Sequence, residues 1–376
     1  MMPQKTIAIL LNTSWYIYNF RKNLIKELQK KGYKVIAIAP TDEYSSKLEE
    51  LGCSFHHLDI DSKSKNPLYD ISLLFRIRKI LAQTKPDVLL NFTIKPNVYG
   101  SLAARSLGIA CINNVAGMGT LFSDGFFSRT ILKALFKVSQ YRVRTVFFQN
   151  PDDMRELTAS NIVNKSLAHL LPGSGVNLNE FPFSPLPQLE NQTVNFLLVA
   201  RMIRTKGIAE LVQAGKILKG KGYSNFHINL LGEMGINNPH AISKEEMDEI
   251  SSNNFVTYLG KTDKVKQYLQ NSDAVVLPSY YREGTPKSLL EALAIGRPII
   301  TTDMPGCKQT VVNGVNGYIC TPKSADDLAS KMEAFLNLKP DQRLRMGIQS
   351  RKLAETKFDE QIVIAAYLKA IEKALN

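Results

Sequence analysis

Two segments of this 376-residue chain carry side chains whose types and spacing suit one chemistry, the gripping of a diphosphate joined to polyhydroxyl groups. The first is PSYYREGTPKSLLEALAI, residues 278–295. It reads as a strand end, a loop Glu283-Gly284-Thr285-Pro286 and a helix, with Thr285 as N-cap and Pro286 at an early helical position where its missing N–H does no harm. The N terminus of such a helix offers unpaired N–H groups and the positive end of the dipole, which suit phosphate or sugar oxygens. Glu283 stands ahead of the helix, and Glu291 follows eight residues on, about two turns along it. Amides that take phosphate and carboxylates that take hydroxyls together match a nucleotide-sugar. A dipole partner and a surface glutamate are the plainer reading of the pair, and the strand–loop–helix setting tips the balance away from it.

The second segment is ARMIRTKG, residues 200–207. Its cations Arg201 and Lys206 follow a strand and open a helix. Arg binds two oxygens through its planar fork and Lys supplies a point charge, a pair suited to a diphosphate. A solvated basic loop is the alternative, but a loop at the carboxyl rim of a first strand is where ligands are expected.

The elements that must position these loops alternate strand and helix along the chain. Short apolar runs read as strands at 7–11, 35–39, 55–58, 88–91, 110–114, 145–148 and 166–170. After a break they resume at 194–200, 227–231, 256–259, 274–278, 298–301 and 317–320. Helices read at 19–31, 207–219, 263–270, 286–295, 324–336, 340–354 and 359–375, with helix-length segments between most other strands. Buried-type strands separated by helices predict parallel sheets covered on both faces. The break, Pro172–Thr193, holds four prolines and two glycines and reads as an interdomain connection. The expectation is therefore an α/β chain of two doubly wound Rossmann-like domains. They span 1–175 and 192–355, with a terminal helix over 358–376 crossing back onto the first.

Composition narrows the class. Apolar residues are 44%, enough for large cores, and no apolar run approaches a membrane span. Four cysteines form no C-x-x-C, which disfavours a zinc site or a disulfide scaffold and fits a reducing cytoplasm. Neither first strand is followed by G-x-G-x-x-G, and no G-x-x-x-x-G-K-[ST] or G-x-S-x-G occurs. The net charge is +13, and it is uneven: 23 basic and 13 acidic residues precede residue 176, against 24 and 21 after it. A basic first half implies a polyanionic partner, whether nucleic acid, an anionic membrane or a phosphorylated substrate.

ARMIRTKG, together with EGTPKSLLEALAIGRPIITTDMPGCKQTVVNGVNGYIC, resembles the family 4 retaining glycosyltransferases of GT-B fold, in which two Rossmann-like domains face each other across a cleft. NFTIKPNVYGSLAARSLGIACINNVAGMGT resembles the first domain of bacterial members that build lipid-linked surface saccharides, among them N-acetylgalactosaminyltransferases acting on undecaprenyl-diphosphate-linked sugars. The resemblance implies an acceptor-binding first domain and a nucleotide-sugar-binding second domain. It places Arg201 and Lys206 on the donor diphosphate and Glu283 on a donor-sugar hydroxyl. It puts the amides of Gly284, Thr285 and Lys287 along sugar and phosphate, and Glu291 on the ribose. It sets Gly232 at a close backbone approach and Gly260 and Lys261 near the base. The loop Asn12–Trp15, with Thr13 and Ser14, would face the acceptor and the donor phosphates. Many relatives carry a histidine on the loop after the strand at 110–114; here Asn113–Gly119 has none, so no conventional base is assigned. Asp59-Ile60-Asp61 looks like a metal motif only superficially, and the paired cations leave a divalent metal unneeded.

Residues 126–144 hold five basic side chains from Arg129 on and no acid. Arg129, Lys133 and Lys137 repeat every four residues, so a helix aligns them on one face beside an apolar one. Two readings fit: a helix lying on an anionic bilayer, and a core-facing helix with a solvated basic face. With the resemblance, the expected function is transfer of a hexose or N-acetylhexosamine from a UDP-sugar to a polyprenyl-diphosphate-linked saccharide at the cytoplasmic face of the inner membrane. Two competing classes are a UDP-sugar epimerase of similar fold and a basic nucleic-acid-binding module. The EGTPKSLLEA segment argues against the first. The lack of interleaved aromatics and of any nucleic-acid motif argues against the second.

Overall fold

The computed structural model describes residues 4–62, 64, 66–118, 126–187, 193–236 and 238–376, the side chains of 126–129 excepted. The chain divides into two units. The first is Met1–Ser174 with Gln361–Asn376, and the second is Gly175–Glu360.

The first unit runs β1 (Thr6–Leu10), α1 (Ser14–Lys30), β2 (Lys34–Ala39), α2 (Ser45–Glu50), β3 (Ser54–His57), α3 (Pro67–Thr84), β4 (Val88–Phe92), α4 (Ser101–Ser106), β5 (Ala110–Val115), α5 (Phe126–Ser139), β6 (Thr145–Phe148), α6 (Pro151–Ala159) and β7 (Ala168–Leu170). Its strands form one parallel sheet in the order β3-β2-β1-β4-β5-β6-β7. Alternation along each strand assigns two faces. Ile7, Ile9, Val88 and Leu90 bury one face with α1 and the terminal helix Glu360–Leu375. Ala8, Leu10, Leu89 and Cys111 bury the other with α3 and α4, and Val146 and Phe148 extend it under α5.

The second unit runs β8 (Val194–Val199), α7 (Ile208–Gly220), β9 (Phe226–Leu231), α8 (Lys244–Ser251), β10 (Val256–Tyr258), α9 (Val265–Gln270), β11 (Ala274–Leu277), α10 (Lys287–Ile295), β12 (Ile299–Thr302), β13 (Gly317–Cys320), α11 (Ala325–Leu336) and α12 (Pro340–Leu353). Its parallel sheet has the order β10-β9-β8-β11-β12-β13. Strand order reverses between β8 and β11, which puts the 200–207 and 278–286 loops on the two sides of that crevice, the place where doubly wound sheets bind ligands.

Three elements differ from expectation. The first helix begins at Ser14, because the Thr13 hydroxyl caps it by accepting from the Tyr16 N–H at 3.0 Å. The strand expected from Ser166 starts at Ala168, since Asn164 caps a short 3₁₀ turn over Lys165–Leu167. Residues 175–187, read as connection, pack with the second unit. Val176 pairs with Asp359, and the fully buried Arg297 donates to the carbonyls of Ser184 (3.1 Å) and Pro185 (3.0 Å).

Candidate functional site

The two motif loops of the second unit are stitched together at the switch point. The Tyr280 N–H and the Ser279 hydroxyl both donate to the Thr205 carbonyl, at 3.0 and 3.2 Å. This brings the Lys206 ammonium within 2.5 Å of the Glu283 carboxylate, with both side chains largely buried. The other oxygen of Glu283 accepts from Ser279 at 2.7 Å. These two bonds fix the orientation of the Glu283 carboxylate. Cys307 walls the pair, and burial followed by the nearby Glu283 charge pushes its thiol up to about 12, so it stays neutral. A third loop closes the wall at Gly306. Its φ is +88°, and a Cβ there would sit 1.8 Å from the Gly284 carbonyl. Arg201 is exposed, and among the described residues its guanidinium takes no hydrogen bond or ion pair. It belongs to the same field: burial, then Glu283, raises the Tyr281 phenol, and Arg201 lowers it.

The helix after the loop differs in detail from its sequence reading. Pro286, not Thr285, occupies the cap position of α10, and its own side chain makes no cap bond. Leu289 and Leu290 both donate back to the Pro286 carbonyl, at 3.1 and 3.2 Å. The first turn of α10 carries no acidic side chain that would compete with an anion. Gly284 and Thr285 are buried beside it. The Lys287 ammonium donates to the Gly175 carbonyl at 3.1 Å, which leaves its backbone as the part that lines the mouth. One turn on, the half-buried Glu291 is raised to about 7 by desolvation and by Glu180, against the opposing pull of Lys287.

On the far side of β8, Gly232 holds a φ of +151°, and a Cβ there would meet the Ala200 carbonyl at 1.8 Å. The glycine thus lets the β9 loop touch the loop that carries Arg201. Its N–H donates to the Gly260 carbonyl at 2.9 Å, and Lys261 pairs with Glu233 at 3.0 Å in an exposed position. Arg201, Lys206, Gly232, Gly260, Lys261, Glu283, Gly284, Thr285, Lys287 and Glu291 all lie on loops or helix starts at the carboxyl rim of one sheet.

The first unit corrects two expectations. Ser14 is not an open ligand group: it is fully buried, and its hydroxyl donates to the Pro40 carbonyl at 2.7 Å and accepts from Ser45 at 3.2 Å. The mouth of α1 is filled by its own chain, Thr13 taking the Tyr16 N–H and the Asp42 carboxylate taking the Trp15 N–H at 3.0 Å. A carboxylate already seated there disfavours a phosphate. On α5, Lys133 does not share an open face with Lys137. It turns back to Glu156 of α6 at 3.6 Å, while Lys137 is exposed, as are Ile131 and Val138. The side chain of Arg129 lies outside the described residues.

Sequence reading missed the first unit's own switch point, between β1 and β4. Asn12 follows β1, and Thr93 follows β4, its partner across the Leu10↔Asn91 register. Thr93 holds a φ of +68°, strained for a β-branched residue, and the Asn97 N–H donates to its carbonyl at 3.0 Å. Asn12 Oδ1, Thr93 Oγ1 and Asn97 Oδ1 are buried without hydrogen-bond partners among the described residues. The Asn97 amide is oriented, because its Nδ2 donates to the Asn114 carbonyl at 2.7 Å. The two amide oxygens match O–H or N–H groups and repel an anion, while the Thr93 hydroxyl can accept or donate. Among the described residues, no group of three or more His, Cys, Asp or Glu could hold a metal ion, and no helix is long and apolar enough to cross a membrane.

With this geometry in view, comparisons with known proteins agree on a class. Residues 186–353 match the family described as Glycosyl transferases group 1, and residues 6–150 match Glycosyl transferase 4-like. The chain is 29% identical, over 98% of its length and 99% of the relative's, to the N,N'-diacetylbacillosaminyl-diphospho-undecaprenol alpha-1,3-N-acetylgalactosaminyltransferase of Campylobacter jejuni. It is 25% identical, over 78% of each chain, to the capsular polysaccharide biosynthesis glycosyltransferase CapM of Staphylococcus aureus. Among solved structures, a glycosyltransferase from Rickettsia africae superimposes with a TM-score of 0.81 at 18% identity, covering 100% of this chain and 99% of that one. HepE of Anabaena, solved with UDP and glucose, gives 0.78 at 14% identity, covering 98% and 100%.

Proposed function

Because the chain belongs to the family 4 glycosyltransferases and has their GT-B fold of two parallel-sheet α/β domains, we propose that it moves a hexose or N-acetylhexosamine from a UDP-sugar to a polyprenyl-diphosphate-linked saccharide with retention, in assembly of a bacterial surface polysaccharide or glycoprotein glycan. The observation that carries the reading is the Lys206–Glu283 pair held across the switch point between β8 and β11. The lipid-linked acceptor is supported by the name of the Campylobacter relative, matched over nearly the whole of both chains.

In this reading Lys206 and Arg201 meet the diphosphate, the mouth of α10 takes further phosphate or sugar oxygens, and Glu283 accepts from a donor-sugar hydroxyl. The neutralising charge comes from cations, so the reading needs no divalent metal. The bond between the anomeric carbon and the phosphate oxygen breaks as the acceptor oxygen bonds that carbon from the same face. The acceptor proton passes to the departing phosphate oxygen. Preorganised positive charge at that oxygen is the main catalytic contribution. The oxygens of Asn12, Thr93 and Asn97 would take hydroxyl or acetamido hydrogens of the acceptor saccharide in the first domain. The exposed side of α5 would rest against the anionic cytoplasmic face of the inner membrane.

Calorimetry against UDP, GDP and their sugars tests the donor. A labelled transfer assay with a polyprenyl-diphosphate saccharide, followed by NMR of the new anomeric centre, tests the rest. Binding of UDP-sugars and an α-linked product from an α-linked donor are expected, with activity surviving a metal chelator. Failure to bind any nucleotide would sink the reading, and conversion of a UDP-sugar alone into its C2 epimer would replace it with the epimerase.

Glu291 adds a pH test. As a ribose-hydroxyl acceptor it binds most strongly when ionised, and its free carboxyl sits at about 7. Affinity for a UDP-sugar, whose diphosphate does not titrate in this range, should therefore rise from pH 6 to pH 8, by up to roughly tenfold. Glu291→Gln should flatten that profile in calorimetry. Linkage gives stability the opposite slope. The folded carboxyl holds its proton above the ordinary value near 4.5, so stability falls as pH rises from there through about 7.

A further inference from the structure

The outer surface of the first unit's α3–α4–α5 layer has a chemistry that no catalytic role explains. The inner side of α3 is buried through Leu73, Ile77 and Leu81. Its opposite side carries Leu68, Ile71 and Phe75 at helical spacing, 74%, 52% and 64% exposed. On α5 and the turn after it, Ile131, Val138 and Tyr141 are 54%, 54% and 65% exposed. All three helices cover the same face of the sheet, and polar contacts hold them as one layer. Arg78 Nε donates to Ser106 Oγ at 3.1 Å, and Arg105 Nη1 donates to the Val138 carbonyl at 3.0 Å.

Charge on this layer has one sign. The three helices carry seven Lys and Arg and a single acid, Asp70. That acid is neutralised within the fold by Lys95 at 2.6 Å and bonded by the Tyr99 hydroxyl at 2.8 Å. Large apolar side chains amid uniformly positive charge suit a plane of phosphates above hydrocarbon. A protein interface ordinarily carries a rim of both signs.

We propose that the outer faces of α3 and α5 together dock the first domain on an anionic phospholipid bilayer, with Leu68, Ile71 and Phe75 entering the interfacial layer. This rests on the peripheral-membrane part of the proposed function, although its test needs neither donor nor acceptor. It moves the apolar anchor to a helix outside the basic segment at 126–144, and it explains why Lys133 can be spent on Glu156 without emptying the surface of charge.

The test is flotation of the full chain with vesicles of phosphatidylglycerol and phosphatidylethanolamine, against vesicles of phosphatidylcholine alone. The wild type should float with the anionic vesicles, and Ile71→Asp/Phe75→Asp should lower the partition coefficient by at least about tenfold. Both residues are exposed, and an unchanged melting curve verifies that the variant folds. A Phe75→Trp variant gives a second readout: its added indole, read against the native Trp15, should be quenched by brominated lipid. Three results would each overturn the proposal: a wild type that stays off anionic vesicles, a double Asp variant that floats like the wild type, or an indole at 75 that brominated lipid leaves unquenched. Self-association abolished by the double variant, without vesicle binding, would assign the face to a second copy of the chain instead. Transfer to a detergent-solubilised acceptor separates the two claims. Transfer without vesicle binding defeats the docking surface alone, and vesicle binding without transfer defeats the enzymatic reading alone.

Discussion

Lys206→Ala should cut kcat/KM for sugar transfer by about a hundredfold or more, with most of the loss in kcat. The ammonium is held 2.5 Å from Glu283 in a largely buried setting, ready to move onto a diphosphate. Its attraction for that diphosphate grows as the anomeric bond breaks and charge accumulates on the leaving oxygen. An interaction that strengthens on the way to the transition state appears in kcat more than in KM. Removing the lysine also strands a carboxylate, taking the counter-charge from a largely buried group that accepts from Ser279. Some loss of stability is therefore expected, and it is separable from the loss of catalysis. Adding Glu283→Gln relieves the stranded charge and should restore the melting temperature without restoring turnover. Glu283→Gln alone should also impair transfer severely while keeping the protein folded. The measurements are steady-state kinetics with a UDP-sugar and a melting curve for each variant. A Lys206→Ala enzyme working within a few-fold of the wild type would remove the site assignment.

Arg297→Leu should produce the largest loss of stability from a single substitution in the second unit, about 3–5 kcal/mol, or a fall of roughly 10 °C in its melting transition. The side chain is fully buried. Its Nε donates to the Leu269 carbonyl at 2.8 Å, and Nη2 is shared among the carbonyls of Ser184, Pro185 and Gln270. Burial lowers the guanidinium to about 10, opposed by Asp273, so it is charged at neutral pH. Leucine would fill much of the space and take a donor from the carbonyls of Ser184, Pro185 and Gln270, while Leu269 keeps its bonds from Ser272. Arg297→Lys should rescue little, because one ammonium cannot reproduce a planar fork that reaches two chain segments. Differential scanning calorimetry with and without a UDP-sugar reads both effects. A melting transition within about 2 °C of the wild type would show that the carbonyls find other donors.

How much could be read in advance depended on how local the signal was. The central strands of both sheets are visible as short apolar runs, because a strand buried on both faces needs nearly every residue apolar, whereas the edge strands β3, β7 and β10 carry polar and exposed residues. Lys206 and Glu283 were found for a similar reason: each sits on a contiguous loop directly after a strand, where sheet order alone decides that ligands gather. Detail at single caps was less secure. Thr285 and Pro286 both satisfy cap preferences, and only the backbone angles show that Pro286 holds the position. Ser14 looked available because sequence shows a hydroxyl on a rim loop and does not show the Pro40 carbonyl that takes it.

The α/β class, the break between two domains and the basic character of the first half are properties of the sequence by itself, since they depend on composition, period and punctuation along the chain. Tertiary structure alone decided which of two apolar stripes on α3 faces the sheet. Leu68, Ile71 and Phe75 repeat as helically as Leu73, Ile77 and Leu81 do, and period cannot tell inside from outside when both sides are apolar. It also decided that Lys133 meets Glu156 and that Thr93 takes a left-handed backbone conformation. Those outcomes are set by neighbours brought close through folding, and the linear spacing of residues carries no term for such neighbours.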